Sequence, residues 1–231
     1  MKSLKEHLEK LRGIKRKSYH PLVHKIHKKY KVSKKTLFYI KEYGPHTNVT
    51  RTILRESIKI LILSAIISAF GGLALDQVKT VFLSIIPLIV LLPTLNDMIG
   101  DYSTIVSSRF STMLHEGKIR GKLLKNEELK KLYVQIIIVS LITAALSSAI
   151  AFAISAVSGY AATKEIAIKV FLAVLIDVAL LITLLFIMTI LAGLYFYRKK
   201  EDPNNFLIPI TTSVADFGNM IILALLVIVM F

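Results

Sequence analysis

Hydrophobic positions divide the chain into a polar, basic start and a body of long apolar runs. About twenty apolar residues cross the hydrocarbon core of a bilayer. Hydropathy past residue 50 predicts five such helices, over residues 58–75, 80–100, 132–157, 166–196 and 206–231. The second continues over 101–116 as a less apolar helix. The third is rich in Ala and Ser, and its Ser140, Thr143, Ser147, Ser148 and Ser155 read as small packing residues. The fold expected is an all-α membrane protein. It consists of a five-helix transmembrane domain over 51–231 and a basic N-terminal arm over 1–50 with short helices at best.

Charge orients this arrangement. The chain has 231 residues and a formal net charge of +15. Residues 1–50 hold fourteen Lys and Arg against three Glu, so the basic excess sits mainly in the arm. The arm, the 118–131 loop and Arg198-Lys199-Lys200 fall on one side of the five spans. The other side has only Lys79, Lys164 and Lys169. The positive-inside rule makes the N-terminus cytoplasmic, and an odd number of spans puts the C-terminus outside. A multi-pass protein of the plasma membrane is expected. No signal peptide is visible. There is no cysteine, which excludes thiolate sites and disulfides.

The second run departs from a plain span. Pro87 and Pro93 interrupt it, and Asn96, Asp97 and Asp101 follow. Asp97, Asp101, Thr104 and Ser108 recur at i, i+4, i+7 and i+11, which places them on one helical stripe. A carboxylate within a membrane costs about 2.5–3.5 kcal/mol on insertion scales. Like charges at i, i+4 add roughly 0.2–0.5 kcal/mol. A cation is the simplest compensation. The last run repeats the pattern, with Thr212, Asp216 and Asn219 on one face and Pro209 one turn before them, where its missing N–H frees backbone carbonyls toward the same face. The candidate metal-binding set is therefore Asp216, Asp97, Asp101, Asn96, Thr212 and Asn219. All are oxygen donors suited to hard cations, and the spans hold no Cys or His for zinc or copper. Mg²⁺ fits a sparse set of acids because it keeps most of its waters. Na⁺, Ca²⁺ and Mn²⁺ fit the same chemistry. No organic cofactor is called for. Asp177 stands alone in the fourth run, as a second pathway residue or as a structural partner for Arg109 or a neighbouring helix. Arg109 itself reads as an interfacial residue.

In the arm, His20, His24 and His27 lie at i, i+4 and i+7. A metal site is one reading. A basic face against anionic lipid headgroups is the better one, since no carboxylate accompanies them. Tyr30, Phe38, Tyr39 and Tyr43 would suit base stacking, but nucleic-acid binding is the weaker use of this arm.

The stretch PTLNDMIGDYSTIVSSRFSTMLHEG resembles the second-span signature of the MgtE-type magnesium transporters: Ser108-Arg109-Phe110-Ser111-Thr112 matches that family's Ser-Arg-Leu-Ser-Thr-like run, with Gly117 closing it. DPNNFLIPITTSVADFGNM resembles the other signature through Asp202, Pro203, Asn205, Pro209 and Asp216. The Ser-Arg-x-Ser-Thr run is similar to the solute-carrier branch, whose animal members fuse two such units. The resemblance implies a homodimer, with the second and fifth helices lining a pore on the two-fold axis and Asp216 facing its symmetry mate around hydrated Mg²⁺. Two departures stand out. Ile99-Gly100-Asp101 replaces a Gly-Gly-Asn-like turn, and the Mg²⁺-sensing cytoplasmic domains of bacterial relatives have no counterpart in the arm.

The function expected is divalent cation (Mg²⁺) transport. The alternatives are a Na⁺- or H⁺-coupled Mg²⁺ exchanger, and a membrane-anchored protein binding nucleic acid or lipid through its arm. No nucleophile–base pair occurs in the spans, so an enzyme is not expected.

Overall fold

The computed structural model describes residues 26, 29, 49–119, 126–199 and 202–231. The arm's histidines and aromatic residues, and residues 120–125 of the basic loop, lie outside the described residues. Among the described residues there are five long helices and no strand: α1 Val49–Ser84, α2 Ile86–His115, α3 Glu127–Val157, α4 Lys164–Arg198 and α5 Pro203–Met230. Four of them (α1, α3, α4 and α5) are long and apolar enough to cross a membrane. α2 is long enough, but its Asn, Asp and Pro residues make it less apolar.

The first boundary departs from the hydropathy reading. The dip at Asp76–Lys79 predicts a loop, yet α1 runs unbroken to Ser84. Charged residues do not break a helix. Asp76 and Lys79 simply pair at 2.8 Å on its exposed side, while Val78 and Phe82 are buried on the other. The break comes at Ile85, because Pro87 has no N–H to give Leu83 and its ring crowds that carbonyl. As one of the first residues of α2, Pro87 costs nothing.

The other boundaries follow from short signals. Asn126 caps α3 by accepting from the Leu129 amide at 3.1 Å and donates to the Lys118 carbonyl at 3.0 Å, which ties the two ends of the basic loop together. Thr163 and Asp202 cap α4 and α5. α2 and α3 end on Gly117 and Gly159, both at positive φ, 71° and 81°. In each case the residue after the glycine bonds five residues back, Lys118 to Met113 and Tyr160 to Ser155. This double-bonded ending strongly favours glycine.

α2 is the central element and packs against α3, α4 and α5. Leu88, Leu91, Leu95 and Ile99 are fully buried along one face of it, followed by Val106 and Phe110. On α3, Ser140, Ala144, Ser148, Ala151 and Ser155 form the buried stripe, and its serines donate to carbonyls of their own helix. The packing role expected of those serines is what they have. α2 and α5 run antiparallel, as the Asn96–Asn219 and Ser107–Thr211 pairs show. α1 runs parallel to α5 and rests almost wholly on it. Its outer face exposes Leu61, Ile62, Ile66, Phe70 and Leu73.

Gly193 sits where a Cβ would come within 2.7 Å of the Phe110 ring, whereas around Gly100 nothing lies within 4 Å. Phe110 is itself fully packed and has nowhere to go. Gly193→Ala is therefore expected to destabilise by about 1–3 kcal/mol through overpacking. Gly100→Ala should be neutral or stabilising, by up to ~1 kcal/mol, from reduced chain entropy. Unfolding midpoints of the two variants in the same detergent check this, and equal midpoints would contradict the packing.

Candidate cation site

Opposite its leucine face, α2 carries Pro93, Asn96, Asp97, Gly100, Asp101 and Thr104. These residues share one groove with Thr212 and Asp216 of α5. The groove holds about 460 Å³ and is open at the side of the bundle. Asp97 and Asp101 are exposed in it, and Asp216 is half-buried. Five of the six residues singled out by sequence thus meet in one place. The spacing does this: 93, 97, 100, 101 and 104 repeat at three- and four-residue intervals, so the acid-bearing face and the leucine face of α2 are two sides of one helix. Gly100, with open space around it, keeps the middle of the groove clear.

The sixth residue, Asn219, does not line the groove. It is fully buried, and its amide Nδ2 donates to Oδ1 of Asn96. It bonds Asn96 across the α2–α5 contact, behind the groove. Beside this pair, Ser107 and Thr211 bond each other at 3.3 Å, joining the same two helices one end further on.

α1 supplies a support that the pattern of acids does not reveal. Pro209 leaves the Asn205 carbonyl without its helical donor. Ser57 of α1 donates to that oxygen at 3.3 Å. Ser64 donates to the Pro209 carbonyl at 3.0 Å, and Ser68 donates to Oδ2 of Asp216 at 3.4 Å. The carbonyls near Pro209 are therefore taken up by serine and threonine hydroxyls, including Thr212 and Ser213, and do not add oxygens to the groove as expected. Gly71 completes the seam, since a Cβ there would stand 2.7 Å from the Met220 sulfur. Ser57, Ser64, Ser68 and Gly71 recur at i, i+7, i+11 and i+14. That spacing of small residues is the signal by which the seam was discoverable.

Asp177 is fully buried in α4, outside the groove, and neither of its oxygens has a hydrogen-bond partner among the described residues. It does not line the groove, and it pairs with no described residue, Arg109 included. Arg109 is exposed and makes no ion pair with a described residue, in keeping with the interfacial reading. Among the described residues, no three His, Asp or Glu side chains lie close enough to hold one ion directly. The groove can neutralise a cation at a distance, through water, but does not form a closed cage.

The MgtE family profile, described as a divalent cation transporter, matches residues 92–226. These residues include every groove-lining residue and most of both helices that form it. Solute carrier family 41 member 2 of Gallus gallus is 30% identical over 191 residues, covering 76% of this chain and 32% of that protein. The Homo sapiens protein of the same name is 30% identical, and that of Macaca fascicularis 29%, each over the same shares. The chain spans about a third of the length of these curated relatives. No solved structure matches it. The apolar helices make this a multi-pass membrane protein, and the match over both groove helices identifies it as a member of the MgtE family of divalent cation transporters.

Proposed function

We propose that the chain carries Mg²⁺ across the plasma membrane, with the N-terminus cytoplasmic, through a pore formed when two copies bring their α2–α5 grooves together on a two-fold axis. The observation that carries this reading is the groove itself. Three carboxylates open sideways from a bundle whose helices otherwise expose many large apolar side chains. Facing hydrocarbon, each would cost kilocalories. Facing a second groove across water, they line a cation pathway.

In this reading Asp216, Asp97 and Asp101 attract the ion and bind it mostly through its waters, and Asn96 and Thr212 bond to those waters. Asn219 and Ser68 hold Asn96 and Asp216 in place. Mg²⁺ dehydrates reluctantly and is commonly bound through one or two carboxylates with several waters retained. A wide acidic groove with no closed cage suits it. The name of the family profile and those of the relatives support the same reading, as does the absence of Cys and of any groove histidine, since neither soft nor imidazole ligands are offered.

Mg²⁺ uptake into proteoliposomes tests the pathway. Asp216→Asn is expected to reduce uptake at least about tenfold, the effect of losing about 1.4 kcal/mol of favourable interaction with the passing ion. Asp177→Asn, outside the groove, should leave uptake within about twofold of wild type. The reverse ranking would move the pathway to α4. Uptake by the wild type without a Na⁺ or pH gradient fits a pore, whereas uptake only with such a gradient would establish the exchanger.

The paired grooves make a second claim. The chain has no cysteine, so single cysteines report contacts cleanly. Thr104→Cys, in the groove, should form a cross-linked dimer with a short bifunctional thiol reagent in membranes. Ile142→Cys, exposed on α3, should not. Cross-linking at Ile142→Cys alone would place the two-fold axis elsewhere.

A further inference from the structure

A second groove of about 390 Å³ lies between α3 and α4, lined by Lys130, Tyr133, Thr183, Phe186, Ile187 and Leu191 among others. Its floor is closed to polar ligands. The hydroxyls of Tyr133 and Thr183 bond each other at 2.9 Å, Thr183 also donates to the Ala179 carbonyl, and the Phe186 ring packs edge-on to Tyr133 at 5.1 Å. Whatever enters must therefore be apolar inside. Its lips, Ile187 and Leu191, are 53% and 64% exposed on the hydrocarbon-facing side, so the occupant comes from the bilayer.

The mouth selects a headgroup. Lys130 stands at the start of α3, where its Nζ pairs with Glu127 at 2.9 Å. One ammonium and one carboxylate side by side make this part of the mouth dipolar. Both partners of the Lys130–Glu127 pair are exposed, so the pair is weak and can open. A phosphate can then replace the carboxylate on Lys130 while an ammonium meets the freed Glu127.

We propose that this groove is a binding site for one zwitterionic phospholipid of the phosphatidylethanolamine type, with an acyl chain between α3 and α4, its phosphate on Lys130 and its ammonium at Glu127. The full chain, delipidated in detergent, is titrated with dioleoyl phosphatidylethanolamine, dioleoyl phosphatidylglycerol or dioleoylglycerol and read by native mass spectrometry. We expect saturation at one phosphatidylethanolamine per chain, bound about tenfold tighter than dioleoylglycerol, the scale of one charge-assisted hydrogen bond. Lys130→Ala should erase that preference, and Ile187→Trp, which fills the groove from an exposed position, should abolish the saturable site. Thermal melting of both variants, expected to match the wild type without lipid, verifies that they fold. Equal binding of dioleoylglycerol, tighter binding of phosphatidylglycerol, or a lipid count unchanged by Ile187→Trp would each overturn the assignment.

Discussion

A carboxylate in hydrocarbon is expensive, and the flank of this bundle carries three. That cost explains why α2 must be so well anchored. Its leucine face is buried against α3, α4 and α5, and this apolar packing, not any polar contact, fixes which way its acids point. Within a bilayer this packing gains close van der Waals contact rather than a water-to-oil transfer energy, since lipid tails are as apolar as Leu. The acids are presented at the side of the protein because the other side of the same helix is committed to the core.

The same logic extends to α5, which has the harder task. Pro209 weakens it one turn before Thr212, and Asp216 follows. Such a helix needs donors from outside, and α1 provides them through Ser57 and Ser64, with Ser68 reaching the carboxylate itself. This accounts for the otherwise lopsided position of α1, which rests almost wholly on α5 and exposes the rest of its surface. α1 is a splint for the proline-weakened α5. The small residues of its seam allow the close approach that hydroxyl-to-carbonyl bonds at 3.0–3.3 Å require.

Much of this was legible in the chain. Hydropathy marks the apolar helices, and the three- and four-residue spacing of Asn96, Asp97, Asp101, Thr212 and Asp216 brings them to one groove, because a helix converts spacing into direction without reference to anything else. The misreadings have a common cause. Hydropathy responds to charge, but a helix ends where its hydrogen bonds end, so Asp76 and Lys79 suggested a boundary that Pro87 sets instead. Asn219 shares the spacing of Thr212 and Asp216 yet points to Asn96, since which polar residue on a face meets solvent depends on a neighbouring helix. The serines of α1 went unnoticed because their partners, two main-chain oxygens around Pro209 and the Asp216 carboxylate, lie about 150 residues later in the chain. Asp177, buried with no hydrogen-bond partner among the described residues, has no account in packing.

The chemistry of the groove also bears on selectivity. The stretch Ile99-Gly100-Asp101 puts a carboxylate where an amide stands in the family signature that it resembles. Asp101 lines the groove, one helical turn from Asp97. Two negative groups so placed repel unless a cation lies between or before them. Among the described residues no three His, Asp or Glu side chains converge on one point, so in the proposed pathway charge density, rather than a cage of acids, discriminates among ions. A hydrated divalent ion gains twice the Coulomb energy of a monovalent one at the same distance and does not have to surrender its waters. On the proposed two-fold axis, each aspartate is doubled by its mate. In the proposed pathway the added carboxylate therefore favours divalent ions as a class, and discrimination among them would rest on how firmly each holds its hydration shell.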